Sequence, residues 1–431
     1  MVKTFRQREE DIVRCNRCGF CEEVCPTYKA TGEEFSLARG RNRLMRQSME
    51  GKLDLTKEPE INQHIYSCLL CGACVAACPS SVITDTLIKT ARAEITRAKG
   101  QPFPIRMALR GVLANQRRLT LGAKVLRFYQ RSGARWLARH IGFLNLMGSL
   151  GKAEGLLPAI PEKTLRVQLP QLLKKPMKPR HKVAYFAGCM INNFFTAVSE
   201  ATLRVYQEND IEVVVPTSNC CGIPHEAYGD IEMQIKLAKE NLDAFSRYEV
   251  EAIVTDCASC AHGLHSYAEL LQDDPHYGPL AAQLAAKVKD ASQYLVEIGF
   301  KKEMGPVNAT VTYHDPCHAA RGLKVKEQPR EILKSIPGVK FVEMNESDWC
   351  CGGAGSYNVT HYELSRKILA RKMDNFKKTG AEYLATSCPA CLMQLAHGLD
   401  VYRLSGKAIH VMQILDQAYQ NRAVRSKAKA G

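Results

Sequence analysis

The 431-residue chain contains no apolar run approaching eighteen residues, so no segment is expected to span a bilayer as a helix. Its first residues, MVKTFRQREEDIVRC, lack an apolar stretch and a small-residue cleavage site, so a secretory leader is not expected. Without export, cysteine is not expected in structural disulfides, and a reducing cytoplasmic setting follows. No complete P-loop or dinucleotide fingerprint is present, so neither flavin nor NAD is expected on this chain. The run Gly352-Gly353-Ala354-Gly355 follows a cysteine pair and reads as a tight turn. Acid is missing locally: between Gln101 and Leu150 there are nine Lys and Arg and no Asp or Glu.

Cysteine, in contrast, is plentiful, with eighteen in all. Eight of them form two copies of one spacing, Cys15-x2-Cys18-x2-Cys21-x3-Cys25-Pro26 and Cys68-x2-Cys71-x2-Cys74-x3-Cys78-Pro79. This is the bacterial two-cluster ferredoxin pattern. Three thiolates at that spacing wrap one face of a cubane 4Fe–4S cluster, while the fourth, turned away by proline, ligates the other cube. Cys15, Cys18, Cys21 and Cys78 are therefore expected to hold one cluster, and Cys68, Cys71, Cys74 and Cys25 the second. Two zinc sites built from CxxC pairs would explain neither the third cysteine of each run nor the proline. The formal charge of +15 counts these thiols as neutral and so overstates the charge of the loaded protein.

The fold class expected is α+β. A small helical two-cluster ferredoxin-like domain (1–100) precedes a basic helical segment and Pro-rich linker (101–182). Two duplicated α/β cysteine-rich domains with parallel βαβ units (183–305 and 306–420) and a basic tail (421–431) complete it. Within 101–150, apolar residues recur at helical intervals among Arg106, Arg110, Arg117, Arg118, Lys124, Arg127, Arg131, Arg135 and Arg139, which predicts one or two basic amphipathic helices. Such a face suits solvent, an acidic partner subunit or peripheral contact with an anionic membrane; nucleic acid is not expected, since no binding fold accompanies the charge. Five prolines between Leu156 and Lys182 predict an extended linker.

The remainder repeats. Val183–Cys189 is echoed by Val311–Cys317, Cys220-Cys221-Gly222 by Cys350-Cys351-Gly352, and Cys257-x2-Cys260 by Cys388-x2-Cys391, about 130 residues apart throughout. Each copy alternates short apolar β-rich runs with helix-length segments, and each run ends near cysteine. Parallel βαβ units gather ligands at strand carboxyl ends beside helix amino termini, which favour thiolates. Cys189, Cys220, Cys221, Cys257 and Cys260 make one pentad of candidate metal ligands, and Cys317, Cys350, Cys351, Cys388 and Cys391 the other. Five thiols exceed what a cubane needs, and adjacent cysteines do not readily serve one compact cube. An opened cluster and an ordinary four-thiolate cluster with a spare thiol both fit. His225, His262, His265, His314 and His318 lie close in sequence to the pentads; each reads as a proton relay if a substrate binds there and otherwise as a hydrogen-bonding or surface residue. Arg39, Arg41 and Arg43 read either as groups that raise a cluster's potential or dock a partner, or as a solvated helix face. No residue is singled out as catalytic.

The pentads resemble the cysteine-rich domains of the heterodisulfide reductase and glycolate oxidase iron–sulfur subunit superfamily. Joined to the ferredoxin-like runs, and with Cys25-Pro26-Thr27-Tyr28 followed by Ala38-Arg39-Gly40-Arg41, the layout resembles the iron–sulfur subunits of glycolate or lactate oxidases. That resemblance implies an electron-transfer subunit whose partner, an FAD-containing dehydrogenase, oxidises a 2-hydroxy acid such as glycolate or D-lactate. Electrons would leave for a quinone, cytochrome, electron-transfer flavoprotein or ferredoxin. It also implies two cubanes plus one or two further 4Fe–4S clusters in the pentads. Both pentads are complete, as in catalytic heterodisulfide reductase subunits, where each holds a noncubane cluster; reduction of a disulfide at such a cluster is the alternative.

Overall fold

The computed structural model describes residues 4–430; residues 1–3 of the expected first domain and residue 431 of the expected tail lie outside the described residues, as do the side chains of 143, 145, 149, 150 and 423–430. The architecture is α+β: a helical amino-terminal unit followed by two four-stranded parallel sheets.

The amino-terminal unit is built on the helices Ala38–Met49 and Thr84–Lys99. Its core is small, with Phe5, Ile12, Met45, Ile65, Leu87, Ile88 and Ile95 among its members. Pro26 opens the helix after Cys25, where its fixed φ suits the first turn.

The first sheet comprises β1 (His181–Tyr185), β2 (Ile211–Val214), β3 (Ala252–Thr255) and β4 (Val288–Asp290), in the order β2-β1-β3-β4. The second repeats it with β5 (Ala309–Tyr313), β6 (Val339–Phe341), β7 (Tyr383–Thr386) and β8 (Lys407–His410), in the order β6-β5-β7-β8. The register is conserved too, Val183 facing Ala252 and Val311 facing Tyr383. In each sheet the chain goes first to one side of the central strand and then to the other, which opens a crevice at the carboxyl ends. The buried apolar side chains of both sheets form one continuous cluster. The carboxy-terminal helix Val411–Ala430 runs through position 420, and its Asp416 pairs with Arg204 of the first repeat at 2.7 Å.

Two expectations need correction. The basic segment is not one or two helices but a string of short ones, including π-helical Met107–Leu113, around a single long helix, Gln116–Arg131. The charges are also less solvated than their density implies, because acids from elsewhere reach them: Arg110 meets Asp230, and Arg135 and Arg139 both meet the buried Glu154. The stretch 156–182 is not wholly extended. Leu165–Leu172 is helical with Pro170 inside it, held because Leu165 is buried in the sheet core and Arg166 bonds Asn192 and Ser218. Tertiary contact here outweighs the bond that proline forfeits.

Candidate metal centre

Every described cysteine is a free thiol. In the amino-terminal unit, one hollow is lined by Cys15, Cys18, Cys21 and Cys78 together with Cys74, and a second by Cys25, Cys68, Cys71 and Cys74. The runs thus exchange their fourth cysteines. Backbone N–H groups donate to sulfur, Leu70 to Cys68 at 3.5 Å and Val82 to Cys78 at 3.4 Å, as suits a thiolate.

The three arginines that follow the first run in sequence separate in the fold. Arg39 pairs with Glu22 and Glu34, Arg43 is exposed, and Arg41 is buried. Arg41 lines the hollow of the second set, not the first, and donates to the His64 carbonyl at 2.8 Å and to Ser67 Oγ at 3.0 Å. Two further cations went unnoticed. Arg92 donates to the Cys68 carbonyl at 2.6 Å and to the Ala227 carbonyl at 2.7 Å, and Arg321 reaches the Cys71 carbonyl at 3.3 Å. The signal for Arg92 was present: it stands four residues after Ile88 and three before Ile95, on the buried face of its helix. Gly229 is needed for this approach, since a Cβ there would lie 2.2 Å from the Arg92 carbonyl oxygen.

The ten carboxy-terminal cysteines follow the central, second and third strands of their sheets. Cys257 and Cys388 sit at helix amino termini, and the Cys260 N–H donates to Cys257 Sγ at 3.4 Å. Gly222 and Gly352, each directly after its cysteine pair, take φ of +90° and +80°, the left-handed turn that aims both preceding sulfurs inward. A Cβ at Gly188 would lie 2.8 Å from Cys260 Sγ, so glycine admits that sulfur as well.

Nine of the ten sulfur-bearing residues line one apolar cavity of about 150 Å³; the tenth, Cys388, lies within hydrogen-bonding reach of Cys257. Cys189 and Cys220 stand 3.9 Å apart, sulfur to sulfur. The thiols share protons within each group: hydrogen bonds from neighbouring thiols hold Cys221, Cys351 and Cys388 well below the ordinary range, while Cys220, Cys257, Cys260, Cys350 and Cys391 are pushed well above it. Deprotonated sulfur is the metal-binding form. A second link leads outward, since Cys71 packs against the small buried cluster of Leu69, Cys350, Tyr357 and Ile368. Packed cysteines therefore connect the amino-terminal hollows to both pentads.

The histidines divide. His265 is exposed. His262 and His318 stack with centroids 4.7 Å apart, and His318 Nδ1 bonds Ser259 Oγ at 2.9 Å, which in turn lies 3.6 Å from Cys388 Sγ. Burial, and then the charge of His262, push His318 down to about 3, so it stays neutral. His225 and His314 are buried; His225 faces Asp230 Oδ2 at 3.8 Å, and His314 faces the sulfurs of Cys351 and Cys391. Lys372, which sequence reasoning missed, is fully buried and donates to the Glu346 and Ser347 carbonyls at 2.5 and 3.0 Å; burial pushes its amine down to about 8.

Buried, grouped thiols with N–H donors aimed at sulfur are the donor set of iron–sulfur clusters. Comparison with known proteins agrees. A 4Fe–4S dicluster domain matches residues 11–82, a cysteine-rich domain matches 183–265 and 311–396, and the linker region of the glycolate oxidase iron–sulfur subunit matches 101–157. A probable glycolate oxidase iron–sulfur subunit of Bacillus subtilis (strain 168) is 35% identical over 96% of each chain. The glycolate oxidase iron–sulfur subunit of Escherichia coli (strain K12) is 26% identical over 97% of this chain and 98% of its own. Lactate utilization protein A of Bacillus cytotoxicus is 32% identical over 54% of this chain and 97% of its own.

Proposed function

Because the chain belongs to the glycolate oxidase iron–sulfur subunit family, we infer that it accepts electrons from a partner flavoprotein and passes them on through clusters held by its eighteen cysteines. It is an iron–sulfur electron-transfer subunit of a hydroxy acid oxidase.

In this reading Cys15, Cys18, Cys21 and Cys78 hold one cubane, and Cys68, Cys71, Cys74 and Cys25 the other. Each pentad holds a further cluster, with Cys220 and Cys221, or Cys350 and Cys351, favouring an opened form. Bound clusters supply one-electron carriers; the protein supplies their burial, spacing and surrounding charge. Arg41 and Arg92 set positive charge beside Cys68, and Lys372 does so beside Cys351, which stabilises the reduced, more negative state. The observation that carries the reading is that Cys71 of the amino-terminal unit packs beside Cys350 of the second pentad, and that cysteines of both pentads line one cavity. An isolated scaffold site has no need of such continuity.

The partner of this reading is an FAD-containing dehydrogenase for glycolate or D-lactate, and the acceptor a quinone, cytochrome, electron-transfer flavoprotein or ferredoxin. Among the described residues no helix is long and apolar enough to cross a membrane. The heterodisulfide reductase alternative is not favoured, since the relatives above that match end to end are described as glycolate oxidase iron–sulfur subunits.

Anaerobic purification with native partners tests the proposal. A co-purifying flavoprotein that bleaches the cluster absorbance on addition of glycolate or D-lactate is the expected outcome. Turnover of a mixed disulfide by the isolated chain, lost in Cys350→Ala, with no response to either hydroxy acid, would overturn it.

A further inference from the structure

The two pentads are copies, yet the residue three places before the first cysteine differs: Phe186 precedes Cys189, whereas His314 precedes Cys317. The backbone places are equivalent. The Phe186 N–H donates to the Val254 carbonyl and the His314 N–H to the Ala385 carbonyl, both at 2.8 Å, each extending the central strand toward its neighbour. Phe186 packs its ring against Phe245, centroids 5.7 Å apart, and needs no polar partner. His314 is 1% exposed, and neither ring nitrogen has an oxygen or nitrogen partner.

Burying an imidazole with no oxygen or nitrogen partner for its ring is unfavourable. The fold does not require it, since the first repeat closes with phenylalanine. What lies within reach is sulfur: a ring nitrogen of His314 and the Sγ atoms of Cys351 and Cys391 all fall within 4.8 Å of one another. His225, the buried histidine near Cys221 of the first pentad, is not grouped with two sulfurs in this way. It faces Asp230 Oδ2 at 3.8 Å.

We propose that His314 is a nitrogen ligand to iron in the second pentad, so that the two repeats hold chemically different metal sites, one all-sulfur and one of mixed sulfur and nitrogen. The inference rests on the reading that the pentads bind iron. A neutral imidazole donates its lone pair without adding negative charge, and clusters with nitrogen ligands have higher potentials than their all-thiolate counterparts. The second site is therefore the more readily reduced of the pair.

The test uses the full chain, isolated anaerobically from cells fed 15N-histidine or ordinary histidine. Pulsed electron paramagnetic resonance is recorded in the oxidation state in which the pentad signal appears, with iron counted by Mössbauer spectroscopy. The expected result is a bonded-imidazole 14N coupling, severalfold larger than that of a peptide nitrogen near sulfur. Labelled histidine converts it to the 15N pattern; His314→Ala abolishes it and His225→Ala preserves it. Because the labelling needs no variant, it holds even if His314→Ala misfolds. In addition, His314→Cys should lower one midpoint potential and leave the others in place. Pentad iron without a histidine-dependent coupling overturns the ligand assignment alone. Iron confined to the amino-terminal clusters overturns the pentad reading and this inference together.

Discussion

Cys71, from the second amino-terminal run, packs beside Cys350 of the second pentad, although the two stand far apart along the chain. Leu69, Tyr357 and Ile368 close over the contact, and the Tyr357 hydroxyl donates to the Ser67 carbonyl at 3.0 Å. If this is the electron crossing, Cys71→Ala should lower bound iron by about four atoms per chain, the content of one cubane. The pentads should keep their iron but lose reduction driven by hydroxy acid through the flavoprotein. Iron analysis beside anaerobic optical titration reads both; pentad reduction at the wild-type rate would count against the crossing.

Gly222 and Gly352 carry a backbone cost for any other residue. Gly352→Ala is expected to lose about 1–3 kcal/mol, since it strains a left-handed φ. Its Cβ would also stand 2.8 Å from the Ser365 carbonyl oxygen. Gly380→Ala, with φ of +63° but open space around its Cβ, should cost less. Anaerobic denaturant titration of the loaded chains compares the two.

Arg110 fastens the basic segment to the first repeat through two hydrogen bonds to Asp230, at 2.7 and 2.6 Å. Asp230 is buried and also caps the helix Ile231–Phe245 by accepting from the Met233 N–H. Burial raises its carboxyl, but His225 and Arg110 outweigh burial and hold it well below the usual carboxylate range. The unfolded chain then binds the proton more readily than the folded one. The contribution is therefore complete above about pH 4 and lost as pH falls below it. Arg110→Ala should cost about 1–2 kcal/mol, less than a fully buried pair because the guanidinium is partly exposed. It should also flatten the acid limb of a stability–pH profile; an unchanged limb would contradict this account.

Leu121, Val125 and Phe128 lie exposed on one face of the helix Gln116–Arg131, which also carries Arg117, Arg118, Lys124 and Arg127. Spacings of four and three put the apolar residues in a single stripe. If this stripe rests on an anionic membrane surface, Phe128→Ser combined with Lys124→Gln should weaken binding to anionic vesicles about tenfold or more, at about 1 kcal/mol for the charge and a further loss for the ring. Vesicle co-sedimentation decides: no binding by the wild type, or equal binding to neutral vesicles, would speak against an electrostatic surface contact.

Much of this molecule was legible in one dimension because the chemistry is local. Thiol spacing, the prolines after Cys25 and Cys78, and the two echoing cysteine pairs announce metal centres and a duplication without any fold. The alternation of short apolar runs with helix-length segments in both repeats likewise matches the strands and helices of the two sheets. The helix around Pro170 and the pinning of the basic segment did not, because both depend on contacts with distant residues, Asn192 and Ser218 in one case and Asp230 and Glu154 in the other. The same holds for Arg41, whose helix face turns it to the second thiol set, and for Lys372, which reads in sequence as one more surface charge.

The amino-acid order alone therefore marked the candidate ligands and determined which family pattern they follow, since residue type and spacing are properties of adjacent residues. Only the folded chain decided that Cys71 packs beside Cys350, that the two pentads share a cavity, and that His314 stands buried beside Cys351 and Cys391. Those are distances between segments far apart along the backbone, and only the packing of the two sheets against the helical unit brings such segments together.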